Sequence, residues 1–119
     1  LVIDDDKDVR DLMTRLLDDI GVRPIDARDG KEGLERTKDN PSLIVLDLEM
    51  PRMDGFEFLD NYIKDTPEDS RAPVLVYSGK DLTDVQSELL KDKVVGLVKK
   101  DESSMENLSK TISGLIKES

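Results

Sequence analysis

The sequence predicts an α/β protein, a parallel five-stranded sheet with helices packed on both faces. Short apolar runs alternate five times with stretches whose apolar residues recur at helical spacing. The clearest run, Leu43-Ile44-Val45-Leu46, is apolar throughout, which suits a strand covered on both sides and not one facing water. The 119 residues suit one domain spanning 1–119 with a single core. No internal repeat, low-complexity tract or linker interrupts the pattern.

Leu1-Val2-Ile3 reads as a first strand that stops abruptly at Asp4. The chain opens inside this strand, so a few residues are expected upstream. Asp6 or a neighbour can cap the helix that follows, where Val9, Leu12, Met13, Leu16, Leu17 and Ile20 form an apolar stripe. Gly21 is its expected stop. Val22 to Ala27 is a second strand, and Pro24 within it favours an edge position. A short helix from about Lys31 to Lys38 ends at Asn40-Pro41. The third strand, Leu43 to Leu46, ends at Asp47. A third helix from about Gly55 to Lys64 places Phe56, Leu59 and Ile63 on one side. Pro73 to Tyr77 is the fourth strand, ending at Ser78-Gly79. Leu82, Val85, Leu89 and Leu90 suggest the fourth helix. Val94 to Val98 is the fifth strand, ending near Lys99-Lys100. Ser104 to Lys117 is the last helix, with Met105, Leu108, Ile112, Leu115 and Ile116 on its apolar face.

Composition narrows the function. The net charge of −10 disfavours direct binding to nucleic acid or an anionic membrane. The longest apolar runs fall far short of the roughly 20 residues that cross a bilayer, so no membrane insertion is expected. No charged-then-apolar leader opens the chain, and a cytoplasmic setting is expected. The sequence has no cysteine, so disulfides and thiolate metal sites are impossible. It has no histidine either, which removes imidazole acid–base catalysis, imidazole ligation and any phosphohistidine on this chain.

In a parallel sheet of this kind, ligands bind beyond the carboxyl ends of the strands. Strand one ends in Asp4-Asp5-Asp6, strand three in Asp47, strand four in Ser78-Gly79 and strand five in Lys99-Lys100. Taken singly, each has an ordinary explanation: a helix cap, a turn, a loop serine, a solvated lysine pair. Taken together, they bring several carboxylates, a hydroxyl and an ammonium to one edge. Clustered carboxylates repel unless a cation neutralises them. An all-oxygen set suits a hard cation such as Mg²⁺. The hydroxyl and ammonium can hold phosphoryl oxygens. One carboxylate is left as a nucleophile, and phosphoryl transfer needs mainly positioning and charge neutralisation.

These residues resemble the receiver domain of two-component response regulators over essentially the whole chain. Val2-Ile3-Asp4-Asp5-Asp6 looks like the first strand with its acidic pair, and Ala27 to Leu34 like the turn into the second helix. The most specific stretch is Leu46-Asp47-Leu48-Glu49-Met50-Pro51-Arg52-Met53-Asp54-Gly55, which matches the phosphoacceptor loop. Pro73 to Gly79 and Gly96 to Asp101 resemble the fourth and fifth strands with their Ser/Thr and Lys.

The resemblance implies a flavodoxin-like three-layer α/β/α sandwich of strand order 2-1-3-4-5. It implies that Asp47 is phosphorylated and that Mg²⁺ is held by Asp5, Asp47 and the backbone carbonyl of Glu49. Asp4 would contribute directly or through water. Ser78 would hydrogen-bond one phosphoryl oxygen, and Lys100, preferred to Lys99 by register, would pair with another. The implied partners are a histidine kinase or phosphotransfer protein and a downstream protein or fused effector domain. A homodimer through the fourth helix, fifth strand and fifth helix would also be compatible. Such a domain assists its own phosphorylation and dephosphorylation and is otherwise not an enzyme.

Two positions depart from the family pattern. Asp101 stands where Pro often follows the Lys, and Leu97 stands where strand five often carries an aromatic switch. Tyr77 is expected to point away from Ser78 and is no obvious substitute. Glu49 and Lys80 flank the site, where an ion pair would shield the acyl phosphate. Three other readings compete. A haloacid-dehalogenase-type phosphatase would need an Asp where Glu49 stands. A flavin-phosphate binder would need a Ser/Thr/Gly-rich loop where Asp4 to Asp6 stand. A pseudo-receiver serving only protein interaction would need none of these groups. A receiver attached to a hybrid histidine kinase is a further variant of the main reading.

Overall fold

The computed structural model describes residues 1–50, 53–79, 82–99, 108 and 110–114. The strands are β1 (Val2–Ile3), β2 (Asp26–Ala27), β3 (Ile44–Asp47), β4 (Val74–Ser78) and β5 (Gly96–Lys99). The helices are α1 (Lys7–Asp19), α2 (Gly30–Arg36), α3 (Gly55–Asp65) and α4 (Asp84–Lys91). Residues 108 and 110–114 are helical as well. All strand pairs are parallel, in the order β2-β1-β3-β4-β5. This is the flavodoxin-like order that the resemblance implies, and β2, the strand expected to lie at an edge, does so.

Strand alternation divides the core into two layers. Ile3, Ile44, Leu46, Val74 and Val76 face one side, against Phe58, Leu59 and Tyr62 of α3 and Leu90 of α4. Val2, Val45, Leu75 and Tyr77 face the other, against Met13 and Leu17 of α1 and the C-terminal helical residues Leu108 and Ile112. Both faces of β3 and β4 are therefore buried, which explains why these strands read as unbroken apolar runs.

The local stops and starts follow from backbone chemistry. Asp6 caps α1 by accepting hydrogen bonds from the amides of Asp8 and Val9. At the other end Gly21 takes a left-handed φ of +82°. Its amide donates to Asp18 O, and the next amide, of Val22, donates to Leu17 O. This paired closure of a helix end favours glycine at the left-handed position. Asp29 caps α2, Asp54 caps α3, and Thr83 with Gln86 forms a reciprocal capping box on α4.

Several expected boundaries shift. β2 shrinks to Asp26–Ala27, leaving Pro24 outside the strand. α2 hands over at Thr37 to a 3₁₀ turn, Thr37–Asp39, before Asn40 takes a left-handed φ of 55°. The buried face of α3 is centred on Phe58, Leu59 and Tyr62, while Phe56 and Ile63 flank it half-buried. In α1, Leu12 and Ile20 are exposed and only Met13 and Leu17 are fully covered. In α4, Leu90 alone is buried, whereas Val85 and Leu89 face out. Most of the last helix expected over 104–117 lies outside the described residues. Among the described residues, no helix is long and apolar enough to cross a membrane.

Candidate functional site

Parallel pairing carries the strand ends to one edge of the sheet. The register aligns Ile3 with Leu46 and Asp47 with Tyr77. Asp4 follows Ile3 directly, and its amide donates to Ala27 O at 3.0 Å, which continues the β1–β2 ladder. Asp4 and Asp47 therefore end adjacent strands at the same level. Asp5 begins the loop that leads into α1. One carboxylate oxygen from each of Asp4, Asp5 and Asp47 lies within 4.8 Å of the others. Asp4 and Asp47 are buried, at 0% and 2% exposure, and Asp5 is exposed. The cluster is thus anchored in the protein on two sides and open to solvent on the third.

Each buried acid is held by local backbone. The Asp6 amide donates to Asp4 Oδ1 at 2.8 Å, and the Glu49 amide donates to Asp47 Oδ1 at 3.2 Å. Arg10 of α1 donates from its guanidinium to the Asp4 carbonyl at 2.7 Å and lies 3.5 Å from the Asp26 carboxylate. It ties α1 to the ends of β1 and β2.

The loop after Asp47 is fixed by Gly55 at the start of α3. A Cβ there would sit 2.8 Å from Asp47 O and 2.8 Å from Leu48 Cα, so the helix approaches the loop more closely than any side chain permits. The Gly55 amide donates to Leu48 O at 3.1 Å. Asp54, within the stretch that resembles the phosphoacceptor loop, serves as the α3 cap and accepts from the Glu57 amide at 2.9 Å. Beside the cluster lies an open cleft of about 540 Å³ lined by Asp5, Glu49, Met50, Phe56, Leu82 and Gln86 among others.

Of the residues singled out in the sequence, Asp4, Asp5 and Asp47 converge. Ser78 ends β4 at the same edge, buried at 5% exposure and paired in register with Lys99 of β5. Glu49 has an exposed side chain two residues beyond Asp47. Lys100 lies outside the described residues, as does Lys80 of the expected Glu49–Lys80 ion pair. The donors in the cluster are carboxylate oxygens, a set that suits a hard cation and fits Mg²⁺.

Sequence reasoning missed one residue. Tyr77 points away from Ser78, as expected, and packs with Met13 and Leu17. That face also carries the side chains of Val2 and Val45, and so of the next residues in phase, Asp4 and Asp47. The Tyr77 hydroxyl donates to Asp4 Oδ2. Burial, and then the negative charge of Asp4, Asp47 and Asp6, push its pKa far above the ordinary tyrosine value, so the hydroxyl stays protonated and a donor. The signal was available: a tyrosine inside a buried strand needs a partner for its hydroxyl.

Comparison with known proteins agrees with the geometry. The family model for the response regulator receiver domain matches residues 1–113. Response regulator MprA of Mycolicibacterium vanbaalenii is 39% identical over 82 residues, 68% of this chain and 34% of that protein. The probable transcriptional regulator ycf27 of Porphyridium aerugineum is 35% identical over 98 residues, 82% of this chain and 36% of that protein. The chain thus spans about a third of the length of these two relatives. The structure of the Francisella response regulator 1452 receiver domain superposes with a TM-score of 0.83 at 30% identity, covering 98% of this chain and 94% of that one. A parallel sheet of order 2-1-3-4-5, three acids gathered at its edge and a family match over nearly the whole sequence lead to one conclusion: this chain belongs to the response regulator receiver domain family.

Proposed function

We propose that Asp47 accepts a phosphoryl group in a two-component phosphorelay, with Mg²⁺ as the cofactor. The observation that carries this reading is the convergence of the Asp4, Asp5 and Asp47 carboxylates at the carboxyl edge of the sheet. Such a trio is electrostatically costly without a cation and suited to one. Asp5, Asp47 and the Glu49 backbone carbonyl would hold Mg²⁺, and Asp4 would contribute directly or through water. When bound, the cation would neutralise charge on the phosphoryl oxygens.

A carboxylate oxygen of Asp47 attacks the phosphorus of a phosphohistidine. The P–N bond breaks and the imidazole leaves with its electron pair. The Ser78 hydroxyl donates to one phosphoryl oxygen, and the Lys100 ammonium pairs with another. With no histidine in the sequence, the donor sits on a histidine kinase or phosphotransfer protein, or is a small phosphodonor. The domain assists its own phosphorylation and dephosphorylation and turns over no other substrate.

The signal leaves through a downstream protein or a fused effector domain. The outward-facing Val85 and Leu89 on α4, with Leu97 on β5, support an output surface on that side of the molecule. Phosphorylation would bias that surface between two arrangements.

Incubation with acetyl phosphate and Mg²⁺, followed by intact-mass measurement, tests the reading. The expected result is a gain of one phosphoryl group that is abolished by chelation and by Asp47→Ala. No gain, or a gain that survives Asp47→Ala, contradicts it.

A further inference from the structure

Tyr77 is a core residue whose polar end reaches the acidic site. Its ring is fully buried with Met13, Leu17, Val45, Leu108 and Ile112 on the α1 face of the sheet. A phenylalanine would fill that space equally well. The extra oxygen has a distinct destination: it donates to Asp4 Oδ2, across 73 residues of sequence.

Asp4 is itself fully buried, and its other oxygen accepts from the Asp6 amide. Two donors from separate parts of the chain therefore grip the two oxygens of one carboxylate and fix its plane. Asp5, by contrast, is exposed. Within the trio, Asp4 receives a donor from a core side chain, Tyr77. Donors that fix a metal-binding carboxylate from behind tune the site, and their removal commonly weakens metal affinity 10–100-fold.

We propose that Tyr77 is a positioning residue for the cation site, its hydroxyl orienting the Asp4 carboxylate towards the cation shared with Asp5 and Asp47. This rests on the reading of that trio as a Mg²⁺ site. It adds that the site has a support inside the α1-side core, and that cation binding is felt there.

The protein offers a direct readout, because it has two tyrosines and no tryptophan. Mg²⁺ titration by calorimetry compares the wild type with Tyr77→Phe, whose fold is checked by circular dichroism. The expected result is Mg²⁺ binding about tenfold weaker in Tyr77→Phe, with native secondary structure retained. In Tyr62→Phe, tyrosine emission comes from Tyr77 alone. Mg²⁺ is expected to change that emission with the same midpoint as the calorimetric titration, because a phenol bonded to a carboxylate is sensitive to the charge on it.

An unchanged dissociation constant in folded Tyr77→Phe overturns the proposal. So does Tyr77 emission that stays flat while calorimetry shows Mg²⁺ binding, a result that holds even if Tyr77→Phe does not fold. Either outcome leaves Asp47 as a phosphoacceptor intact, provided acetyl phosphate still labels the wild type. A wild type that neither binds Mg²⁺ nor takes up phosphoryl overturns both readings together.

Discussion

At the residue scale, Asp47 carries an electrostatic cost. Its carboxylate lies within 4.8 Å of those of Asp4 and Asp5, and it is almost wholly buried. Two like charges about 4 Å apart repel by ~1 kcal/mol even at the dielectric constant of water, and by more where solvent is excluded. Asp47→Asn removes one charge, keeps an oxygen to accept the Glu49 amide and deletes the proposed nucleophile. In chelator, this variant is expected to resist urea better than the wild type by about 1 kcal/mol, while failing to accept a phosphoryl group. An equal or lower unfolding midpoint would show that the acids are not in mutual tension. Asp54 and Asp29 show how acids nearby in sequence differ in role. Both accept from amides at the start of a helix and take no part in the cluster.

At the element scale, the site depends on how closely α3 approaches the loop after β3. A Cβ on residue 55 would meet backbone atoms of Asp47 and Leu48, which move only if the loop moves. Gly55→Ala is therefore expected to destabilise the fold by about 1–3 kcal/mol and to slow phosphorylation by acetyl phosphate. Chemical denaturation and timed mass measurements check the two effects. A variant with wild-type stability and rate would mean that the loop is looser than its geometry indicates.

The elements themselves were largely legible in the sequence. Asp6 as a cap, Gly21 as a stop and the all-apolar β3 each rest on local chemistry that needs no tertiary context. The faces of the helices were less so. α4 has the right spacing for a helix, yet Val85 and Leu89 point outward. Periodicity shows that an apolar stripe exists but not how much of it the sheet is wide enough to cover.

At the scale of the whole molecule, strand order decides which chemistry meets. Asp4 and Asp47 are far apart in sequence and adjacent in space because β1 pairs with β3, and Tyr77 joins them because β3 pairs with β4. The acidic part of the site was legible because each member stands at the end of an apolar run, where a parallel sheet must deliver it to one edge. That the Tyr77 hydroxyl needs a partner was legible too, but not that Asp4 is the partner, because that depends on parity across three strands together, which single-strand reasoning does not supply.

Three of the 28 acidic residues, Asp4, Asp5 and Asp47, gather at that edge, where a cation can offset their charge. A phosphoryl group on Asp47 would be a mixed anhydride, and one on Ser78 an ester. Treatment of the phosphorylated protein with neutral hydroxylamine, followed by peptide mapping, separates these two bonds, since hydroxylamine cleaves acyl phosphates and spares phosphate esters. The predicted result is complete loss of the phosphoryl group with a hydroxamate at Asp47; a phosphoryl group that survives hydroxylamine, or maps to Ser78, would contradict the account.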